Sequence, residues 1–317
     1  MEFGIARHQF GCFSSHILWM QDLSLRRFSG PTKAPRLAVA LLCAAGLSAP
    51  VRADPGPQSP PSASVAWQTS QPASAQDTLA ARIAPPPGFV RQAADAGSFA
   101  AFLRGLPLKS HGEPVRLHTG APKGRQDGHA AVIDIDTGSR DLQQCADAIM
   151  RLRAEWLWAS GRSHEIAFNY TSGARVPFSR WARGERPSET GKSWRRGKPD
   201  ASYASLRRYL MQVFAYAGTY SLARELKPVT GSTPEIGDVF IAGGFPGHAV
   251  LVADVAIEPA SGARRFLLLQ SYMPAQDMHV LKNPAARDGS PWYTAPVGVA
   301  LVTPDWTFPA DSLMRWP

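Results

Sequence analysis

Between Pro234 and Pro274 the chain alternates short apolar runs with glycine-led turns. Gly237-Asp238 opens Val239-Phe240-Ile241, and Gly247-His248 opens Ala249-Val250-Leu251-Val252. Phe266-Leu267-Leu268-Leu269 then closes in Gln270-Ser271. Short apolar runs bounded by turn residues are the pattern of buried strands. On the middle run His248, Val250 and Val252 alternate with Ala249, Leu251 and Ala253, so both faces are apolar and the strand is interior. A meander of these strands puts a histidine at the head of one and an amide side chain at the end of the next, where they become neighbours.

The rest of the folded region reads as mixed helices and strands. Residues 99–103 predict a short helix ending near Gly105, and 130–135 a strand closed by the Thr137-Gly138 turn. From about Arg140 to Ala159, Leu142, Cys145, Ile149, Leu152 and Trp156 recur at steps of three and four, the period of a helix with one buried face. Residues 166–168 suggest a short strand, 174–200 a polar loop punctuated by proline and glycine, and 202–226 a second helix with a break at Gly218. The tail, with Trp292, Tyr293 and Trp306, is expected to pack back as a strand and loops. Helices followed by an antiparallel meander indicate a single α+β domain, with a mostly antiparallel sheet packed against helices.

The first 53 residues read as an export signal. Arg26, Arg27, Lys33 and Arg36 precede an apolar run from Leu37 to Leu47, and Val51-Arg52-Ala53 offers a small-residue cleavage pattern. That run is shorter than the roughly 20 residues a membrane helix needs, so no span is expected in the mature chain. Met20 is an alternative start, and Arg26-Arg27 hints at twin-arginine export. Residues 54–87, rich in Pro, Ser, Ala and Gln, read as a disordered tether, leaving 88–317 as the domain. Removing the signal takes six of the 34 Lys+Arg and two of the 25 Asp+Glu, so the net charge falls from +9 to +5. That mild bias suits anionic envelope surfaces and gives no argument for nucleic acid. Cys12 and Cys43 leave with the signal, so Cys145 is either a buried structural thiol or a reactive one.

Three side chains can carry chemistry together. Cys145, early in its helix, lies where the helix dipole and unpaired N–H groups favour a thiolate, with Ser139 or Asp141 as the expected cap. His248 at its strand head can accept a proton near neutral pH, behind the permissive loop Gly243-Gly244-Phe245-Pro246-Gly247. Gln270 would accept the second ring proton and hold the tautomer, with Ser271 and Tyr272 beside it for substrate. Each has an ordinary reading as well: a core cysteine, a turn histidine, a polar strand end. Two Asp-x-His pairs, Asp127/His129 and Asp277/His279, raise a metal alternative, but no His-x-x-x-His spacing supports it and no cofactor is expected. The loop at 175–198 interleaves Arg180, Arg183, Arg186, Lys192, Arg195, Arg196 and Lys198 with Trp181 and Trp194. Exposed tryptophans stack on sugar faces and arginines bind carboxylates or phosphates, so this loop is a candidate glycan contact; the plainer reading is a solvated loop with anchoring tryptophans.

At Gln143-Gln144-Cys145-Ala146-Asp147, Pro246-Gly247-His248-Ala249-Val250, Gln270 to Asp277 and Ser290-Pro291-Trp292-Tyr293, the chain resembles the bacterial family catalogued as domain of unknown function 4846, over about residues 95–310. That resemblance supplies no activity. A second one, to papain-like cysteine hydrolases of the NlpC and CHAP type, rests on Cys145 and the strands around Asp238, His248 and Gln270. It implies a papain-like sheet and a Cys-His-Gln hydrolase acting on an amide or ester, such as a cell-wall peptide. Those enzymes usually carry Asp or Ser before the cysteine, where this chain has Gln144, and the 92 residues from Cys145 to Gly237 imply an inserted subdomain around 160–230. The competing expectation is a non-catalytic envelope module that binds glycan or peptidoglycan. Export itself predicts that residues 1–60, fused to a reporter active only in the periplasm, will switch it on; a fusion that stays silent while the reporter accumulates in the cytoplasm removes the signal.

Overall fold

The computed structural model describes residues 77–229, 233–294 and 298–317. The expected signal and residues 54–76 of the expected tether lie outside them. Residues 77–87, also expected in the tether, are packed: Thr78 caps the helix Leu79–Arg82, and Leu79 is fully buried. One apolar side chain inserted into the core is enough to move the domain boundary upstream.

Eight strands form one sheet whose pairings are all antiparallel, as expected for the α+β class. Their spatial order is His129–Val132, His279–Leu281, Arg264–Gln270, His248–Ile257, Val239–Ala242, Leu313–Arg315 and Lys227–Pro228, with Val90–Arg91 added along the far end of the histidine strand. The histidine strand is buried on both faces. Ala249, Leu251, Leu267, Leu269 and Val280 meet the helices, whereas Val250, Val252, Phe266, Leu268 and Leu281 meet Tyr293, Leu301, Phe308 and Leu313 from the tail.

The helical layer is built on Cys145–Ala159, Tyr203–Tyr216 and Thr219–Glu225, the last two separated at Ala217-Gly218. The first helix starts at Cys145 and not near Arg140. Residues 141–143 are held by tertiary partners instead of a helical turn: Asp141 Oδ1 accepts from Ala275 N–H at 2.6 Å, and Gln143 Oε1 accepts from Arg151 at 2.5 Å. The stretch 174–200 is no simple loop. It contains strand Arg175–Pro177, helix Phe178–Ala182 and the hairpin Glu185–Pro187/Trp194–Arg196. Ile166, Phe168, Phe178, Trp181, Leu206 and Tyr209 share one core with the Cys145 helix, so the interval between cysteine and histidine belongs to the helical layer and is not a separate subdomain.

A bulge interrupts the central pairing. Leu267 lies opposite Asp254 but Leu268 lies opposite Val252, leaving Ala253 as the extra residue. Beyond it the alternation inverts, and Asp254 is fully buried between Arg91 Nε and Arg104 Nε, both at 2.7 Å. The pair of guanidiniums ties the edge strand and the helix Phe99–Arg104 to the sheet. Removing the carboxylate strands both cations, so Asp254→Ala is expected to lower the unfolding free energy by about 3 kcal/mol. Urea titration followed by circular dichroism reads the change; an unaltered midpoint would show the pair to be dispensable.

Candidate active site

Gly247 sets the position of His248. A Cβ at Gly247 would come within 2.6 Å of the Ala242 carbonyl and 2.7 Å of that of Gly244, so only glycine lets the chain turn this tightly into the strand. His248 is buried, its ring packed on Tyr272 (4.7 Å between centroids), Trp306 (5.5 Å) and Phe308 (5.6 Å). Its Nε2 lies 2.9 Å from Gln270 Oε1.

The neighbours decide the protonation pattern. Gln270 Nε2 donates to Asp305 Oδ2 at 2.7 Å and faces His279 Nε2 at 3.2 Å, while His279 Nδ1 lies 2.9 Å from the Asp277 carbonyl. A carbonyl only accepts, so His279 carries its proton on Nδ1 and its Nε2 is the acceptor for the amide. Both amide hydrogens are thereby used, and the amide oxygen faces His248. His248 therefore holds its proton on Nε2, leaving Nδ1 a bare base with no hydrogen bond among the described residues. Asp305 is itself anchored by Lys123 Nζ at 2.9 Å. Burial pushes the Asp305 carboxyl up, but Lys123 and the Gln270 amide outweigh it and hold the acid below its usual range.

Cys145 is the first residue of its helix. Gln144 is the N-cap, and its N–H donates to Asp147 Oδ2 at 3.1 Å. The segment before it is fastened by the fully buried Arg151, which bonds Gln143 and the Asp136 carboxylate (2.7 Å), and by Ser271 Oγ, 3.1 Å from the Gln143 carbonyl. Cys145 is 8 % exposed. Burial, with the charge of Asp147 adding, pushes its thiol up to about 12, against the N–H groups of Ala146, Ala249 and Cys145. Burial likewise brings His248 down to about 4, against the hydrogen bond from Gln270. Thiol and imidazole are both neutral at pH 7. No hydrogen bond joins them: strand alternation turns the His248 ring toward Phe308, while Ala249, whose N–H faces the sulfur, looks toward the helices. Tyr272 lies against the imidazole, and burial together with the charge of Asp305 pushes its phenol up.

A family model described as domain of unknown function (4846) matches residues 79–315. The chain belongs to this family. No curated protein and no solved structure matches it. Neither comparison supports a papain-like relationship.

The structure brings His248 and Gln270 into contact and sets Cys145 beside the same strand head, but it corrects the expected substrate contacts. Ser271 is fully buried, its hydroxyl spent on the carbonyls of Gln276 (2.8 Å) and Gln143. Trp181 is 7 % exposed, with its indole N–H on Ser205 Oγ at 3.1 Å, so it is a core residue and no sugar platform. Trp194 is half-buried beneath the Arg180 guanidinium, 3.8 Å from the ring centre, and Arg180 is paired with Glu185. The Asp-x-His pairs do not unite: Asp127 bonds Arg125 and Asp277 pairs with Lys109, although the rings of His129 and His279 are 6.1 Å apart. Among the described residues no group of three or more His, Cys, Asp or Glu is placed to hold a metal. Lys123, Asp305 and the role of His279 escaped sequence reasoning, because no local pattern links positions 182 residues apart.

Burial also brings His279 down to about 3. Both histidines titrate lower in the folded chain than the roughly 6.5 of an unfolded one, so the unfolded state binds more protons as pH falls from 6.5 toward 4. Their contribution therefore removes stability on acidification, by about 1.4 kcal/mol per pH unit for each group. The His279→Asn variant is expected to lose stability less steeply with acid than the parent, read by urea unfolding from about pH 6 to pH 4. Parallel slopes would mean that His279 titrates normally.

Proposed function

We propose that this domain is a thiol-dependent hydrolase of amide or ester bonds, held in a closed resting form. The observation that carries the reading is the amide lock on His248, with Gln270 turned by Asp305 and His279 so that the imidazole presents a bare Nδ1. A histidine needed only for packing has no use for a four-residue relay that fixes its tautomer and leaves one nitrogen without a partner. Cys145 at a helix start, ringed by N–H groups, supplies the matching nucleophile.

In the engaged form a substrate moves Tyr272 aside and the thiol swings toward Nδ1. Sulfur attacks the carbonyl carbon as its proton passes to Nδ1, and N–H groups at the helix start take the charge that develops on the carbonyl oxygen. The imidazolium, stabilised through Gln270 by Asp305, returns the proton to the departing amine or alcohol. Water then cleaves the acyl-thioester with His248 again as base. Separating charge between a thiol near 12 and an imidazole near 4 is strongly uphill, so proton transfer is concerted with attack, and the resting thiol is protected from oxidation. The export expected from residues 1–53 would put this chemistry in the cell envelope, with a cell-wall peptide as the natural substrate class. The glycan-binding alternative loses Trp181 to the core and retains the half-buried Trp194 with the exposed Arg183, Arg195 and Arg196.

A peptidyl electrophile that mimics a scissile carbonyl should label Cys145 at neutral pH on the order of a hundredfold faster than iodoacetamide does, since only the former engages His248. His248→Ala should abolish the difference, and Gln270→Ala should reduce it. Mass spectrometry of the labelled chain decides: equal, slow labelling by both reagents, unchanged in His248→Ala, would reduce Cys145 to a core thiol.

A further inference from the structure

The C-terminal half of the cysteine helix borders a cavity of about 370 Å³, far from the closed thiol. Its polar lining is Arg153, Glu165, Asn169, Arg175, Arg224, Glu225 and Trp316, with Arg224 spent on the Tyr220 carbonyl at 2.9 Å. Arg153 follows Cys145 by eight residues, about 12 Å along the helix axis.

Three other donors of this cavity, on Arg153, Arg175 and Trp316, lack acceptors among the described residues. Arg153 makes no hydrogen bond or ion pair among the described residues. Its guanidinium is held by rings alone, 4.5 Å from Trp156, 5.3 Å from Trp316 and 5.4 Å from Phe99. Burial brings it down only to about 10, so it is charged at neutral pH. Glu165, the carboxylate nearest to hand, is taken in bidentate fashion by Arg162 at 2.6 Å on each oxygen. Arg175 stands at the rim, exposed and bonded to nothing among the described residues. Trp316 Nε1 is buried without a partner, and an indole nitrogen can only donate. Asn169 Oδ1 is buried and unpartnered too. Glu225 is engaged by the Asn169 backbone N–H.

We infer that this cavity binds a small molecule bearing an oxyanion, a carboxylate or a phosphate, with the guanidiniums of Arg153 and Arg175 and the indole N–H of Trp316 as its donors. A planar fork from Arg153 suits either group, and the aromatic rings behind the guanidinium fix its orientation before the ligand arrives. The volume lies at the lower end of the range of small-ligand sites, which fits a compact anion. The site stands apart from the thiol, so its occupancy is independent of the hydrolase reading.

Calorimetric titration of the full chain with inorganic phosphate and, separately, with glutamate tests it. Saturable binding of one equivalent of either is expected, phosphate alone pointing to a phosphate ester and glutamate alone to a carboxylate. Arg175→Met, which removes no hydrogen bond among the described residues and only the charge that faces Glu225, should fold normally and is expected to weaken binding about tenfold or more, and Arg153→Met to abolish it. Cys145→Ala should bind as the parent does. Absence of saturable binding by both anions overturns the inference, as does unchanged affinity in Arg175→Met or loss of binding in Cys145→Ala.

Discussion

The strand His248–Ile257 is buried at nine of its ten positions, and such a strand stands only if something covers each face. On one face the cover is the helical layer, with Cys145 at the leading end of its longest helix. On the other it is the tail of the chain, with Leu301, Phe308 and Leu313. That second cover has a chemical consequence. The turn between Leu301–Val302 and Thr307–Phe308 carries Asp305 and Trp306 to the head of the same strand, where they meet Gln270 and His248. The apolar demand of the sheet and the polar demand of the histidine are met by one segment.

Burial then governs the electrostatics. Several charged groups drawn inside have counter-charges: Asp254 sits between two arginines, Asp305 takes Lys123, and Arg151 binds Asp136. Where no counter-charge is present, proton affinity moves instead. Cys145 is driven up and His248 down, so the pair rests as neutral thiol and neutral imidazole. The result is a buried thiol and a buried imidazole whose charges are unseparated. The cavity behind the same helix is the exception, with an unpaired Arg153 and an indole N–H that has no acceptor. Groups left this way inside a fold are where an outside ligand completes the pairing.

Much of the fold was legible because it depends on local periodicity. The three meander strands, the helix Phe99–Arg104 and the break before Thr219 all lie where apolar spacing and glycine put them. The pairing of His248 with Gln270 was legible for the same reason, since adjacent antiparallel strands make neighbours of one strand's start and the next one's end. The loop at 174–200 was misread because its charge hid its anchors. Arginines there stack on the tryptophans of their own segment, so a composition that looks solvated belongs to a folded hairpin with Trp181 in the core.

The sequence by itself determined the class of the domain, its central strands and the identity of a histidine–amide pair, because each follows from side-chain period and turn residues within a few positions. Tertiary structure alone decided the rest. It started the cysteine helix at Cys145 by tying Asp141 and Gln143 to distant partners. It brought Asp305 and Lys123 to Gln270 across 182 residues of chain, which no local pattern encodes. It also set the ionisation of Cys145 and His248, because a pKa inside a protein depends on which groups have been taken out of water and what faces them there.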